Sequence, residues 1–186
     1  MLLFVLRIRR PPRSTLDRSS AASDVYKRQG GAYRPRGRAV WRALDLEFEF
    51  IAIQQAHFFG LQHEWVTQWQ RVAITDRERT LLDVVAHPQV FGGIGASIEL
   101  LDDNWQTADA EKLVSYALHY GVGATIKRVG FLLERLGAPA DLLQPLLAYS
   151  VSSYTLLDPA GPPDGELAGH WRIRNNLAGG GKHGNR

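Results

Sequence analysis

The chain has 186 residues, 45% of them hydrophobic, and no cysteine. That length and apolar content fit one compact domain with a tail, and the missing thiols exclude disulfides and thiolate metal sites. A formal charge of +3 and a pI near 9.4 would suit a nucleic-acid partner if the excess were spread along the chain.

It is not spread. Residues 1–29 hold seven Lys/Arg against two Asp, whereas residues 30–186 hold fifteen Lys/Arg against seventeen Asp/Glu. The opening run MLLFVL is six residues long, far short of the roughly 20 that cross a bilayer. Arg residues follow it rather than precede it, the reverse of a secretory signal. A soluble, cytoplasmic protein with no membrane partner is expected. Residues 8–29, IRRPPRSTLDRSSAASDVYKRQ, carry no periodic pattern. As protein they would read as a disordered tail, or as a basic arm on phosphates. Codon by codon, residues 8–15 and 19–29 resemble an in-frame translation of a transposase-type sequencing-library adapter. Leu16, Asp17 and Arg18 fall where its variable index sits. Residues 1–29 are therefore expected to be an artefactual, disordered segment that does not pack on the rest, with the native frame resuming near Gly30 and its upstream part missing.

From Leu44 the pattern becomes orderly. LDLEFEFIAI alternates Leu44, Leu46, Phe48 and Phe50 with Asp45, Glu47 and Glu49, which predicts a half-buried strand. Leu61–Ile74 adds short β-prone pieces, so an antiparallel pair or small sheet is expected. The period then lengthens. Thr75–Pro88 predicts a helix with Thr75 as N-cap, Glu78 at capping-box spacing, Asp76 and Glu78 in the first turn, and Leu81, Leu82 and Val85 facing inward. Phe91–Gly95 predicts a flexible break, Ala96–Trp105 a short helix, and Thr107 or Asp109 the start of another helix ending at Gly121. ATIKRVGFLLERLG places Ile126, Val129, Leu132, Leu133 and Leu136 on one side, with Gly137 just past the end. Leu142–Ser150 predicts a last helix, and HWRIRNN a strand before a frayed tail over 178–186. The fold class is α+β: a small, mostly antiparallel sheet packed with several short helices.

Few residues suggest chemistry. His57, His63, His87, His119, His170 and His183 are scattered, without a metal-binding pair. No Gly-x-Ser-x-Gly elbow is present. Gly92, Gly93 and Gly95, like Gly121 and Gly123, miss the phosphate-loop spacings and read as turn glycines. Asp102 and Asp103 are adjacent, diverge on a helix, and predict a solvated face. Arg77, Arg79, Lys127, Arg128 and Arg135 are compatible with a basic surface, but the intervening Glu134 favours a solvated face with local ion pairs. No catalytic residue, metal or cofactor is expected.

One stretch carries more. Thr75, Asp76, Glu78, Arg79, Thr80, Leu81, Leu82 and Asp83, then Pro88, Gly92 and Gly93, stand in order before Tyr116–Gly121 and the group Arg128, Gly130, Leu133, Glu134 and Gly137. Asp158, Pro159, Trp171 and Asn175 follow, and Phe48, Phe50 and Phe58–Gly60 fit upstream. Over roughly residues 38–177 this series resembles the C-terminal domain of AbiEi-type antitoxins of type IV toxin–antitoxin, or abortive-infection, systems. The resemblance implies a non-catalytic phage-defence component whose functional partner is a nucleotidyltransferase-like toxin. DNA binding and autoregulation in that family belong to an N-terminal winged helix, which this chain lacks. The toxin's own Gly-Ser turn and spaced aspartates are only poorly imitated by Gly95, Ser97, Asp102 and Asp103. The expected domain is 30–177. The motif residues are expected to be structural or to form an interaction surface. For Asp83 and Arg128, a buried ion pair at the sheet-to-helix junction and a contact surface both remain open. The alternative function is an effector or sensor domain of a winged-helix transcriptional regulator outside any toxin pair.

Overall fold

The computed structural model describes residues 2–9, 39–43, 46–65 and 67–177. The chain divides into two compact units, Met1–Phe58 and Phe59–Arg186, so a boundary falls inside the stretch expected as one domain. The class is α+β, with short strands and several short helices.

The first unit contains a three-stranded antiparallel sheet in the order β1-β3-β2: Leu2–Arg9, Leu46–Ile53 and Ala39–Ala43. β3 lies inside the strand expected from the alternation after Leu44, but it pairs with β1 and β2 rather than with the run after Leu61. β1 falls within the segment expected to be unstructured. An apolar run rich in β-formers pairs with any open sheet edge of matching period, whatever its origin. Residues 10–38, with most of the adapter-like stretch, and the tail over 178–186 lie outside the described residues.

The second unit begins with a hairpin, β4 (Leu61–Trp65) against β5 (Arg71–Thr75). Five helices follow: α1 (Arg77–Ala86), α2 (Ile94–Asn104), α3 (Ala110–Tyr120), α4 (Gly123–Arg135) and α5 (Ala140–Ala148). A mixed sheet closes the unit. β8 (Ile173–Asn175) runs parallel to β6 (Thr155–Leu156) and antiparallel to β7 (Glu166–Ala168). The described strands thus form three small sheets where the sequence suggested one.

Helix punctuation mostly follows the sequence. Asp109 caps α3 by accepting the Lys112 N–H, and Gly121 ends it in the left-handed conformation at φ 70°. Gly137, at φ 82°, follows α4 and donates its N–H to the Glu134 carbonyl. The Gly92–Gly93 turn, both at positive φ, starts α2 two residues earlier than expected.

α4 is the centre of the unit. It packs on α1, α3, α5 and β8, and Thr125–Leu133 is buried without interruption. Leu82, Val85, Ala117, Ile126, Leu133, Leu146, Trp171 and Ile173 are fully enclosed around it. Each fully buried aliphatic side chain stabilises by about 2 kcal/mol. This burial also corrects the solvated cationic face. Arg77 and Arg135 are exposed, but Arg79, Lys127 and Arg128 are buried. A helix enclosed on every side has no solvent face, and its polar side chains must find partners inside. Lys127 does so by donating from Nζ to the Leu146 and Leu147 carbonyls, 2.9 Å each, which closes the C-terminus of α5. Burial pushes the Lys127 amine below its usual pKa.

Candidate functional site

The motif residues gather at two places. The first is the junction where β5 enters α1. The N-cap is Asp76, not Thr75: Asp76 Oδ1 accepts the Arg79 N–H at 2.8 Å. Thr75 remains in β5, with its hydroxyl 2.9 Å from that of Thr80, which donates to the Asp76 carbonyl. Asp and Thr both cap well, so adjacent candidates cannot be ordered by type alone. The second oxygen of Asp76 accepts from the Tyr116 hydroxyl (2.9 Å) and meets Lys112 Nζ at 3.1 Å. Glu78, freed from a capping-box role by the one-residue shift, turns to α3. Its Oε1 accepts the Asp109 N–H at 3.0 Å and its Oε2 pairs with Lys112 at 3.0 Å. The starts of α1 and α3 are therefore clamped through two acids and one lysine.

Behind the clamp lies a buried ion pair. The Arg79 guanidinium donates from Nε (3.0 Å) and Nη2 (2.9 Å) to Asp83 Oδ1, one helical turn on. It lies 4.4 Å above the Phe59 ring and 5.5 Å above Tyr120. Phe59 stands edge-on to Tyr116 and His119. Gly60, at φ 68°, passes so close that a Cβ there would fall 2.7 Å from Arg79 Cβ and 2.9 Å from Tyr116 Cε2. The Gly60 carbonyl accepts the Asp76 N–H, fixing the hairpin to the helix. Only glycine fits both the dihedral and the space.

The clamp is pH-sensitive in a definite direction. Burial raises the Glu78 pKa, but the Asp109 N–H and Lys112 outweigh it, and the carboxyl ends below its ordinary value. Hydrogen bonds to Glu78 and Asp76 hold the Lys112 amine well above the ordinary lysine range. Burial first, then the bond to Asp76, raises the Tyr116 phenol. A lowered carboxylate contributes stability that is complete above its unfolded pKa, about 4.3, and is lost as pH falls through the folded value. The raised lysine contributes fully below about 10.4, so the clamp holds across the neutral range. Glu78→Gln is expected to lose about 1–2 kcal/mol at pH 7, with a smaller deficit below pH 4. Urea titrations followed by circular dichroism at both pH values measure it, and an equal deficit at both would count against the clamp.

The second place is where the end of α4 meets β8. Trp171 Nε1 donates to Glu134 Oε2 at 2.8 Å, and His170 Nε2 lies 3.0 Å from the same oxygen. The Trp171 ring covers Gly130. Arg128 donates from Nε to the Leu156 carbonyl at 2.9 Å. Burial pushes its guanidinium pKa down, and Asp158 opposes this. Asp83 and Arg128 therefore do not form the ion pair considered for them; Asp83 binds Arg79. The turn after Leu157 is held by Asn176, whose side chain accepts the Asp158 N–H and donates to the Asp158 and Pro162 carbonyls. The side chain of the motif's Asn175 accepts a long 3.4 Å bond from the Leu177 N–H, while its backbone belongs to β8. Pro159 is exposed in the turn. Leu81, Leu82 and Leu133 are core.

Lys112 and Asn176 were not singled out by the sequence, and Lys127 was singled out only as part of a solvated cationic face. Lys112 left one signal: a cation in the first turn of a helix opposes the dipole, so it must answer acids from elsewhere. The imitation of a toxin signature dissolves, because Ser97 is buried and bonds the Val84 and Gly93 carbonyls while Asp102 and Asp103 are exposed. Among the described residues no group of three or more His, Asp or Glu is placed to hold a metal, and no helix is long and apolar enough to cross a membrane. Comparison with protein-family models, curated proteins and solved structures finds no match.

Proposed function

We propose that the Phe59–Arg186 unit is a non-catalytic antitoxin domain that counteracts a nucleotidyltransferase-like toxin. The observation that carries this reading is the ordered series from Thr75 to Asn175, which resembles AbiEi-type antitoxins in sequence and spacing. The geometry is compatible with a non-catalytic role. Asp76, Glu78, Arg79, Asp83 and Glu134 are engaged by helix amides, Lys112, Tyr116, Trp171 and one another. Those bonds brace helix ends and hold a rigid scaffold. DNA binding and autoregulation would belong to a winged helix upstream.

Co-expression tests the proposal. The full chain, induced with the nucleotidyltransferase-like gene beside its own locus, is expected to restore growth that the toxin gene alone arrests. Unrelieved arrest, with the chain present in the soluble fraction at toxin-like levels, would overturn it. Operator binding by the locus's full-length product without any effect on growth would favour the regulator reading instead.

A further inference from the structure

Between α3 and α5 runs an open groove of about 750 Å³. Val114, Leu118, Leu142 and Trp105 supply its apolar lining; Val114 is buried and the other three are half-buried. Glu111 on α3 and Asp141 on α5 stand exposed in the lining, and Ser115, one turn on from Glu111, is exposed as well. Among the described residues that line the groove there is no Lys, Arg or His. Pro145, also in the lining, lies inside α5 and has no N–H. The Asp141 carbonyl, four residues back, therefore cannot receive the usual helical bond from position 145. The rim thus offers carboxylates and a backbone acceptor. Glu111 and Asp141 each sit in the first turn of their helix, where the helix end carries about +0.5 charge. Two carboxylates against two such ends leave about −1, so the dipoles do not neutralise the rim.

We propose that this groove docks an apolar helical segment of a partner protein that carries Lys or Arg beside its apolar stripe. The walls decide the form of the occupant. Both are helices whose backbone bonds are internal, so they offer no ladder to an extended strand, whereas side-chain packing accepts a helix with anchors one turn apart. The groove lies open along the surface and does not enclose a ligand as a small-molecule pocket does. The rim decides the charge: a basic flank meets Glu111, Asp141 and the Asp141 carbonyl, and an acidic flank is repelled. The inference stands on the groove alone and does not depend on the antitoxin reading.

The probe is an amidated amphipathic helical peptide of Leu and Lys, titrated into the isotope-labelled full chain and followed by NMR. Its Leu/Glu counterpart is the control. Shifts are expected at the Trp105 indole and the Val114, Leu118 and Leu142 methyls, with the Leu/Glu peptide inert. Glu111→Gln with Asp141→Asn, both at exposed positions outside the core, is expected to weaken binding between about two- and thirtyfold. Ser115→Arg, which fills the groove with a bulky cation and offsets its negative charge, is expected to abolish it. Shifts absent from the groove, equal binding of the Leu/Glu peptide, or binding unchanged in Ser115→Arg would each overturn the proposal.

Discussion

Gly130→Ala is expected to destabilise the Phe59–Arg186 unit by about 3 kcal/mol, a fall in Tm of about 6–12 °C. Two effects oppose each other. Alanine in a helix interior is favoured over glycine by about 1 kcal/mol, so a bare propensity argument predicts stabilisation. The space decides otherwise: a Cβ at this position would lie 2.1, 2.3 and 2.9 Å from three carbons of the Trp171 ring. The ring has no room to retreat. It is fully buried, its Nε1 is bonded to Glu134, and Lys127 Nζ stands 5.8 Å from its centroid. Either α4 separates from β8 or the indole leaves its rotamer, and both open the central packing. A measurement without new structures checks it. Trp171→Leu alone should also destabilise, yet Gly130→Ala/Trp171→Leu should be markedly less destabilised than the sum of the single changes. Additive losses would show that the methyl and the ring do not meet.

The same pair shows what could be read from the sequence and what could not. Gly130 and Trp171 both stand in the antitoxin-like series, but nothing in their spacing says that one is the seat of the other. That is a tertiary fact between residues far apart in the chain. Local punctuation was legible. Gly121 and Gly137 end helices where residue type demands it, and Asp109 is the one of the two candidates, Thr107 and Asp109, that caps α3, because a left-handed dihedral or an orphan N–H is settled within a few residues. Amphipathic reasoning failed at α4, where the periodic stripe of Ile126, Val129 and Leu133 is real but the opposite face is buried as well. Lys127 then looks like a surface residue until the open carbonyls at the end of α5 are in view. Strand partners were illegible for a related reason. Alternation after Leu44 identifies a strand but not its neighbours, and two- or three-residue pieces such as β6 and β8 carry too few positions for a period. The first junction was half legible. The acids at the start of α1 were evident, whereas the answering Lys112 came from another helix.

The second large effect concerns the ion pair at the heart of that junction. Asp83→Leu is expected to cost about 3–5 kcal/mol, because the Arg79 side chain, only 3% exposed, would keep its charge and lose the carboxylate that receives two of its N–H groups. Arg79→Met should cost a similar amount: it leaves Asp83 charged at 5% exposure and removes the guanidinium from the Phe59 face, a contact worth about 1–2 kcal/mol when desolvated. The double change Arg79→Met/Asp83→Leu reverses the logic. No charge remains to be desolvated, and the flexible thioether packs against the same aromatic rings. Its expected cost is less than that of either single change. Chemical denaturation of the four proteins closes the cycle, and a double variant as unstable as the sum of the singles would mean that the two charges are not coupled and that each single loss comes from other contacts. If the cycle closes as expected, Arg79 and Asp83 are retained for the position they give to Phe59, Gly60 and the start of α1 rather than for net stability. The apolar double variant, folded but with that junction relaxed, then provides the chain in which the proposed neutralising role can be tested apart from stability.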